Sequence, residues 1–138
     1  MRTEATRELA AARAGVWAFL AEPHHLSDWW PGVAAVVPDR RGFAPGARWQ
    51  LRGTRWSNPF TGRQPMEQLL VVGAIEPYER FAFHLVADRL DVEVRLTATG
   101  AHRTDATVSV EGTFLLGGRR ALARTAAGRL RGLVETAG

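Results

Sequence analysis

The stretch Leu90-Asp91-Val92-Glu93-Val94-Arg95-Leu96-Thr97-Ala98 alternates apolar and polar side chains without a break. After a turn at Gly100, the run Ala106-Thr107-Val108-Ser109-Val110-Glu111-Gly112-Thr113-Phe114 does the same. Successive side chains of a strand point to opposite faces, so each run describes a strand with one face in a core and one in water. Joined by so short a turn, the two form an antiparallel hairpin. A sheet with one apolar face needs a cover, and the rest of the chain must supply it.

Downstream, Gly117-Gly118 breaks the strand and a helix is expected from about Arg119 to Thr136. Its apolar stripe is Leu122, Ala126, Leu130, Leu133, Val134 and Ala137. This is the only element long enough to cover the sheet. Its small residues Ala123, Ala126, Ala127 and Gly128 are expected to leave room between helix and sheet, which is the physical case for an internal, mostly apolar pocket.

Upstream, Thr3 to Leu9 is expected to form a first strand. From Ala12 the period becomes helical, with Ala12, Val16, Phe19 and Leu20 on one stripe. Pro23 ends that helix, because the residue before a proline avoids helical backbone angles. His24 to Trp30 reads as a second short helix stopped by Pro31-Gly32. Strands follow at Val33 to Pro38, Arg48 to Trp56, Met66 to Ile75 and Arg80 to Ala87. Met66 to Ile75 is apolar on both faces and is expected to be a central strand covered on each side. The expectation is therefore one α+β domain spanning 1–138: a curved antiparallel sheet of about seven strands, two short helices after the first strand, and a long C-terminal helix.

The bulk numbers agree with a globular chain. There are 138 residues, 46% of them hydrophobic and 23% charged, as in an ordinary packed domain. The chain has no cysteine, which removes disulfides, thiolate nucleophiles and Cys-based zinc sites. No apolar run approaches the roughly 20 residues that span a bilayer, and the charged start Met1-Arg2-Thr3-Glu4 is not a secretory signal, so a cytoplasmic location is expected. The net charge is +4, and the basic residues are all arginine. They are scattered among acidic residues, and the densest group, Arg119, Arg120, Arg124, Arg129 and Arg131, reads as the wet face of the last helix. Nucleic acid is not expected as a partner.

Two segments carry a family resemblance. Val16-Trp17-Ala18-Phe19-Leu20-Ala21-Glu22-Pro23-His24-His25-Leu26-Ser27-Asp28-Trp29-Trp30-Pro31-Gly32-Val33 resembles a "V-W-x-x-L-x-D-P-x-x-L-x-x-W-x-P" stretch of the START-like, or SRPBCC, superfamily. Glu22 stands where Asp is commoner. Ile75-Glu76-Pro77-Tyr78-Glu79-Arg80-Phe81-Ala82-Phe83 resembles that superfamily's "E-P-P-x-R-L-x-Y" turn and strand, with Tyr78 in place of the second proline. The nearest flavour is the polyketide cyclase/dehydrase-like group. The resemblance implies the helix-grip fold and a pocket between sheet and last helix. It does not fix a function, since the superfamily includes carriers, receptors, co-chaperone domains and enzymes.

The residues then divide by role. Trp29, Trp30, Trp49, Phe81, Phe83, Val94, Val110, Ala123 and Ala127 are candidate pocket walls. One of Trp29 and Trp30 is expected at the pocket and the other in packing. Arg55 shares a strand face with Trp49, Leu51 and Gly53, and a buried guanidinium there would hold an anionic or carbonyl-bearing ligand. Arg7 makes the same case more weakly. The loop Asn58-Pro59-Phe60-Thr61-Gly62 is a candidate lid over 57–65, with Trp56 before it and Phe60 within it as candidate ligand contacts. For catalysis the candidates are Arg55, Glu67, whose pKa would rise if it faced inward, and Tyr78.

No histidine constellation has zinc-ligand spacing, and no nucleophile elbow, phosphate loop or dinucleotide fingerprint occurs, so neither metal nor cofactor is expected. The expected function is binding or carriage of a small hydrophobic molecule, lipid-, polyketide- or isoprenoid-like. The alternative is a cyclase, aromatase or dehydratase using the same pocket. A monomer and a homodimer are both compatible with the chain.

Overall fold

The computed structural model describes residues 1–58, 60, 62–112 and 121–137, and the side chains of all of these except 55–58 and 136–137. In chain order the elements are β1 (Arg2–Leu9), α1 (Arg13–Leu20), α2 (Leu26–Trp29), β2 (Val33–Pro38), β3 (Arg48–Asn58), β4 (Gly62–Glu76), β5 (Arg80–Leu85), β6 (Leu90–Gly100), β7 (Arg103–Glu111) and α3 (Leu122–Ala137). The strands form one antiparallel sheet in the order β1-β7-β6-β5-β4-β3-β2. Each strand from β2 to β7 lies beside its neighbour in sequence, and β1 closes the far edge against β7. This is the seven-stranded helix-grip arrangement expected from the alternation and the resemblance.

The register builds one apolar face. Thr3, Val110, Val92, Phe83 and Val72 stand in a row across β1, β7, β6, β5 and β4. Ala5, Val108, Val94, Phe81 and Ile75 form the next row, and Leu90, Leu85, Leu70 and Trp49 another. α3 packs against β1, β7 and α2, while α1 meets β6 and β7. The helices thus roof a face whose side chains belong to one buried cluster.

Two expectations need correction. The second helix is split: Pro23–His25 is a 3-10 turn, and only Leu26–Trp29 is α-helical. Pro23 supplies the fixed φ of a helical first residue, and the Glu22 carboxylate accepts the His24 N–H at 3.2 Å, so Glu caps this turn as the commoner Asp would. β4 is central but covered on one face only. Met66, Gln68, Leu70 and Val72 are buried, whereas Leu69 and Val71 are half-buried and Gly73 is exposed on the face that no described helix covers. The described part of the last helix begins at Leu122; Arg119, Arg120, Gly117, Gly118 and Phe114 lie outside the described residues.

The entry into β2 is held by a close backbone crossing. Gly32 has φ +86°, and a Cβ on Gly53 would lie 1.8 Å from the Gly32 carbonyl oxygen. Thr54 N–H donates to that oxygen at 3.0 Å. Glycine at 53 therefore lets β3 pass against the α2–β2 connection, which sets Trp29 and Trp30 over the sheet.

Candidate functional site

The aromatic residues gather into one continuous chain of ring contacts on the roofed face. Trp29 and Trp30 meet edge to face at 6.0 Å between centroids, and both contact Phe83, at 6.2 and 5.8 Å. Phe83 leads to Phe81 at 5.2 Å, and Phe81 to Phe43 at 4.8 Å and Trp49 at 6.0 Å. Phe43 reaches Trp17 at 5.6 Å, and Trp17 meets Tyr78 at 6.2 Å. These separations are those of favourable offset and edge-to-face pairs. The chain runs from the surface at Tyr78 to the interior beneath α2.

Trp17 and Phe43 were not singled out from the sequence. Trp17 lies off the helical stripe chosen for α1, yet Val16, Trp17 and Leu20 are its buried residues, and Phe19 instead stacks on His25 at 4.2 Å. Phe43 sits on the β2–β3 loop, where no periodicity marks it. That loop is folded by local bonds. The Asp39 carboxylate accepts the N–H groups of Arg41 and Arg48 at 3.0 and 2.9 Å. The Arg48 N–H, followed by those of Arg41 and Gly42, holds the Asp39 carboxyl below its ordinary pKa, more than offsetting its desolvation. Trp49 Nε1 donates to the Gly42 carbonyl at 2.7 Å, which ties the loop to the core.

The nine wall candidates Trp29, Trp30, Trp49, Phe81, Phe83, Val94, Val110, Ala123 and Ala127 all belong to this face, and none is more than 2% exposed. Trp29 and Trp30 are both buried, at 1% and 2% exposure. The small residues of α3 do not hold the helix off the sheet. Ala123, Ala126 and Ala127 are at most 1% exposed, so they bring the helix backbone close. One polar atom faces this interior unpaired: the Thr3 Oγ1 is buried and has no hydrogen-bond partner among the described residues. Nothing in the sequence distinguished Thr3 from the other residues of β1.

Among the described side chains, the proposed polar groups Glu67, Tyr78 and Arg7 do not converge. Glu67 points outward from β4; its side chain is 64% exposed and pairs with Arg52 across the strands at 3.1 Å. Tyr78 lies at a surface turn, 49% exposed, with φ 67°, and its ring rests on Trp17. Phe60 is 98% exposed. Arg7 folds its guanidinium onto the Thr6 carbonyl at 2.9 Å. The side chains of Arg55 and Trp56 lie outside the described residues, as do Pro59 and Thr61 of the candidate lid.

A shallow cleft of about 250 Å³ opens on the opposite, wet face, floored by Val71, Gly73, Ala82 and Ser109. Its charged rim is already engaged: His84 pairs with Asp91 at 2.9 Å, and Arg2 and Ser109 bond Glu4. It is a gap between cross-strand pairs that reaches Phe83 and Val92 from the wet side. Among the described residues no His, Asp or Glu group is arranged to hold a metal ion, and no helix is long and apolar enough to cross a membrane.

Comparison with protein families matches residues 10–128 to the family described as activator of Hsp90 ATPase homolog 1-like protein. Comparison with curated proteins finds no match. Among solved structures, protein MLL2253 from Mesorhizobium loti is similar at TM-score 0.72 and 18% identity, over 100% of this chain and 99% of that one. DR_A0006 from Deinococcus radiodurans is similar at TM-score 0.70 and 15% identity, over the whole of both chains. NE0264 from Nitrosomonas europaea is similar at TM-score 0.70 and 18% identity, over 100% of this chain and 96% of that one. At these identities the likeness is one of fold.

Proposed function

Because this chain belongs to the activator of Hsp90 ATPase homolog 1-like family, within the START-like superfamily, we propose that it binds or carries a small hydrophobic molecule between its sheet and α3. The observation that carries this reading is the aromatic chain. Trp29, Trp30, Phe81, Phe83 and Trp49 form one run of contacting, buried rings, the kind of surface that takes an apolar ligand by area and shape. Thr3 Oγ1 adds a buried hydroxyl without a partner among the described residues, a point at which a ligand oxygen would be oriented and both groups satisfied. Lipid-, polyketide- and isoprenoid-like molecules all fit this chemistry, and a cytoplasmic carrier is the form we favour.

Every wall residue is covered, so admission of a ligand requires α3 to move. Its inner face is uneven. Leu130 and Val134 anchor the C-terminal half, whereas Ala123, Ala126 and Ala127 line the N-terminal half. Burial of an alanine methyl stabilises far less than burial of a leucine, at about 0.8 kcal/mol per methylene-sized group. The N-terminal half of α3 is therefore the part that lifts at least cost. A cyclase-type reaction has weaker support, since Glu67 and Tyr78 are on the surface and well apart from the aromatic chain's interior end.

Titration with anilinonaphthalene sulfonate, read by energy transfer from the core tryptophans, tests the binding reading. Saturable transfer to the folded protein is expected, reduced by Ala127→Leu, whose larger side chain occupies the inner face of α3 that the ligand would contact. A folded protein that shows no saturable transfer would overturn it.

A further inference from the structure

Among the described residues, the buried polar side chains are those of Gln68, Thr104 and Ser109. Two of them are accounted for within the fold. Thr104 Oγ1 donates to the Ala11 carbonyl at 2.8 Å. Ser109 lies on the wet face of the sheet and donates to the Glu4 carboxylate at 2.9 Å. Gln68 is different. It stands on the roofed face of β4 and is 5% exposed. Met66 and Leu70 flank it along the strand and Leu51 lies opposite on β3, all apolar and buried. The next row of that face holds Trp49, Leu70 and Leu85, so the amide borders the aromatic cluster.

A primary amide has two N–H donors and two acceptor lone pairs. Asp88, in the turn from β5 to β6, uses one of each. Gln68 Nε2 donates to the Asp88 carboxylate at 2.9 Å, and Gln68 Oε1 accepts the Asp88 N–H at 3.3 Å. A backbone N–H only donates and a carboxylate only accepts, so these two bonds fix which way the amide points. Its second N–H has no partner among the described residues. A buried amide with an unspent donor costs free energy on a face where an apolar side chain would pack without loss. We propose, resting on the ligand-binding reading, that Gln68 is a specificity-determining residue of that site. Its second N–H donates to a carbonyl oxygen of the bound molecule, and the ligand class is a neutral, apolar ketone or ester. Such a carbonyl is a pure acceptor and matches a single donor. A carboxylate in the same place would bury a charge against one neutral N–H. Asp88 is the positioning residue, since its two bonds hold the amide in one orientation.

Fluorescence titrations of the full chain with two dyes test this. One is propionyl-dimethylaminonaphthalene, whose emission moves to longer wavelength when its ketone accepts a hydrogen bond. The other is dimethylaminonaphthalene, which lacks the ketone. The wild type is expected to bind both, with the ketone dye emitting to the red of its emission in hydrocarbon. Gln68→Met keeps the length of the side chain and removes the N–H. It is expected to bind the ketone dye about 5-fold more weakly and to shift the bound emission to the blue, with its affinity for the ketone-free dye unchanged. An equal loss of affinity for both dyes would mean that Gln68 acts only by holding the turn, and overturns the proposal. Unchanged affinity and emission in Gln68→Met overturn it too. So does a ketone dye that emits from the wild type as it does in hydrocarbon, a result that does not require the variant to fold. A wild type that binds neither dye defeats the ligand-binding reading and this proposal with it, whereas binding of both dyes without the ketone signature defeats this proposal alone.

Discussion

Single residues give the sharpest contrasts between sequence and structure. Glu67 is the one carboxylate in an apolar run, and its face was undetermined because Leu69 and Val71 are apolar on the same side. Strand phase is legible only where one face is clearly polar. Thr3 gave no signal because an unpaired hydroxyl is a property of its surroundings. Replacement of Thr3 by valine keeps the shape and removes the unpaired group, so Thr3→Val is expected to raise stability by about 1 kcal/mol in urea unfolding. Asp39 makes a prediction in pH. Its carboxyl is held below its ordinary value of 3.8, chiefly by the Arg48 N–H. The stability it contributes is thus fully present above that ordinary value and lost as pH falls through the lower folded value. Asp39→Asn is expected to flatten this part of the acid limb in a pH series of thermal melts, and an unchanged acid limb would contradict the role assigned to the carboxylate.

At the scale of elements, the strands were legible where alternation was clean. β6 and β7 pair as their pattern requires, and β3 turns Arg48, Gln50 and Arg52 outward and Trp49 and Leu51 inward as its alternation requires. Legibility failed where a short segment had competing signals. Pro23 both ended the first helix and began a 3-10 turn, so α2 was read too long. Gly53 marks another limit, since a close approach by Gly32 is a contact between distant parts of the chain. Gly53→Ala is expected to destabilise by about 3 kcal/mol or more, because the Cβ would strike backbone that cannot move aside. The two halves of α3 should respond differently. Leu130→Ala is expected to cost about 2–5 kcal/mol by emptying the anchored half. Ala127→Leu is expected to cost about 1–3 kcal/mol by forcing the close half away from the sheet. Denaturant titrations check all three, and a cost for Leu130→Ala below that for Ala127→Leu would reverse the assignment of anchored and liftable halves.

For the whole molecule, period-two alternation, a switch to helical period at Ala12 and a final amphipathic helix set out the order of elements and a helix-covered sheet, and the family resemblance implied the helix-grip arrangement. Most of the wall was legible too, because inward phase follows from alternation once β6 and β7 are placed. Trp17 and Phe43 escaped it, since one lies off its helical stripe and the other on a loop ordered by Asp39. The role of the alanines was misread for a physical reason: a small residue on a helix face permits either a gap or a close approach, and composition does not distinguish them. The central claim is that the buried aromatic cluster between the sheet and the helices receives a small hydrophobic molecule. Native mass spectrometry of the full chain purified from its own host tests it most directly. The account predicts a folded protein carrying a discrete small-molecule mass that organic extraction removes and that Ala127→Leu diminishes. A bare chain mass in every preparation, with no adduct after exposure to a lipid extract of the host, would contradict it.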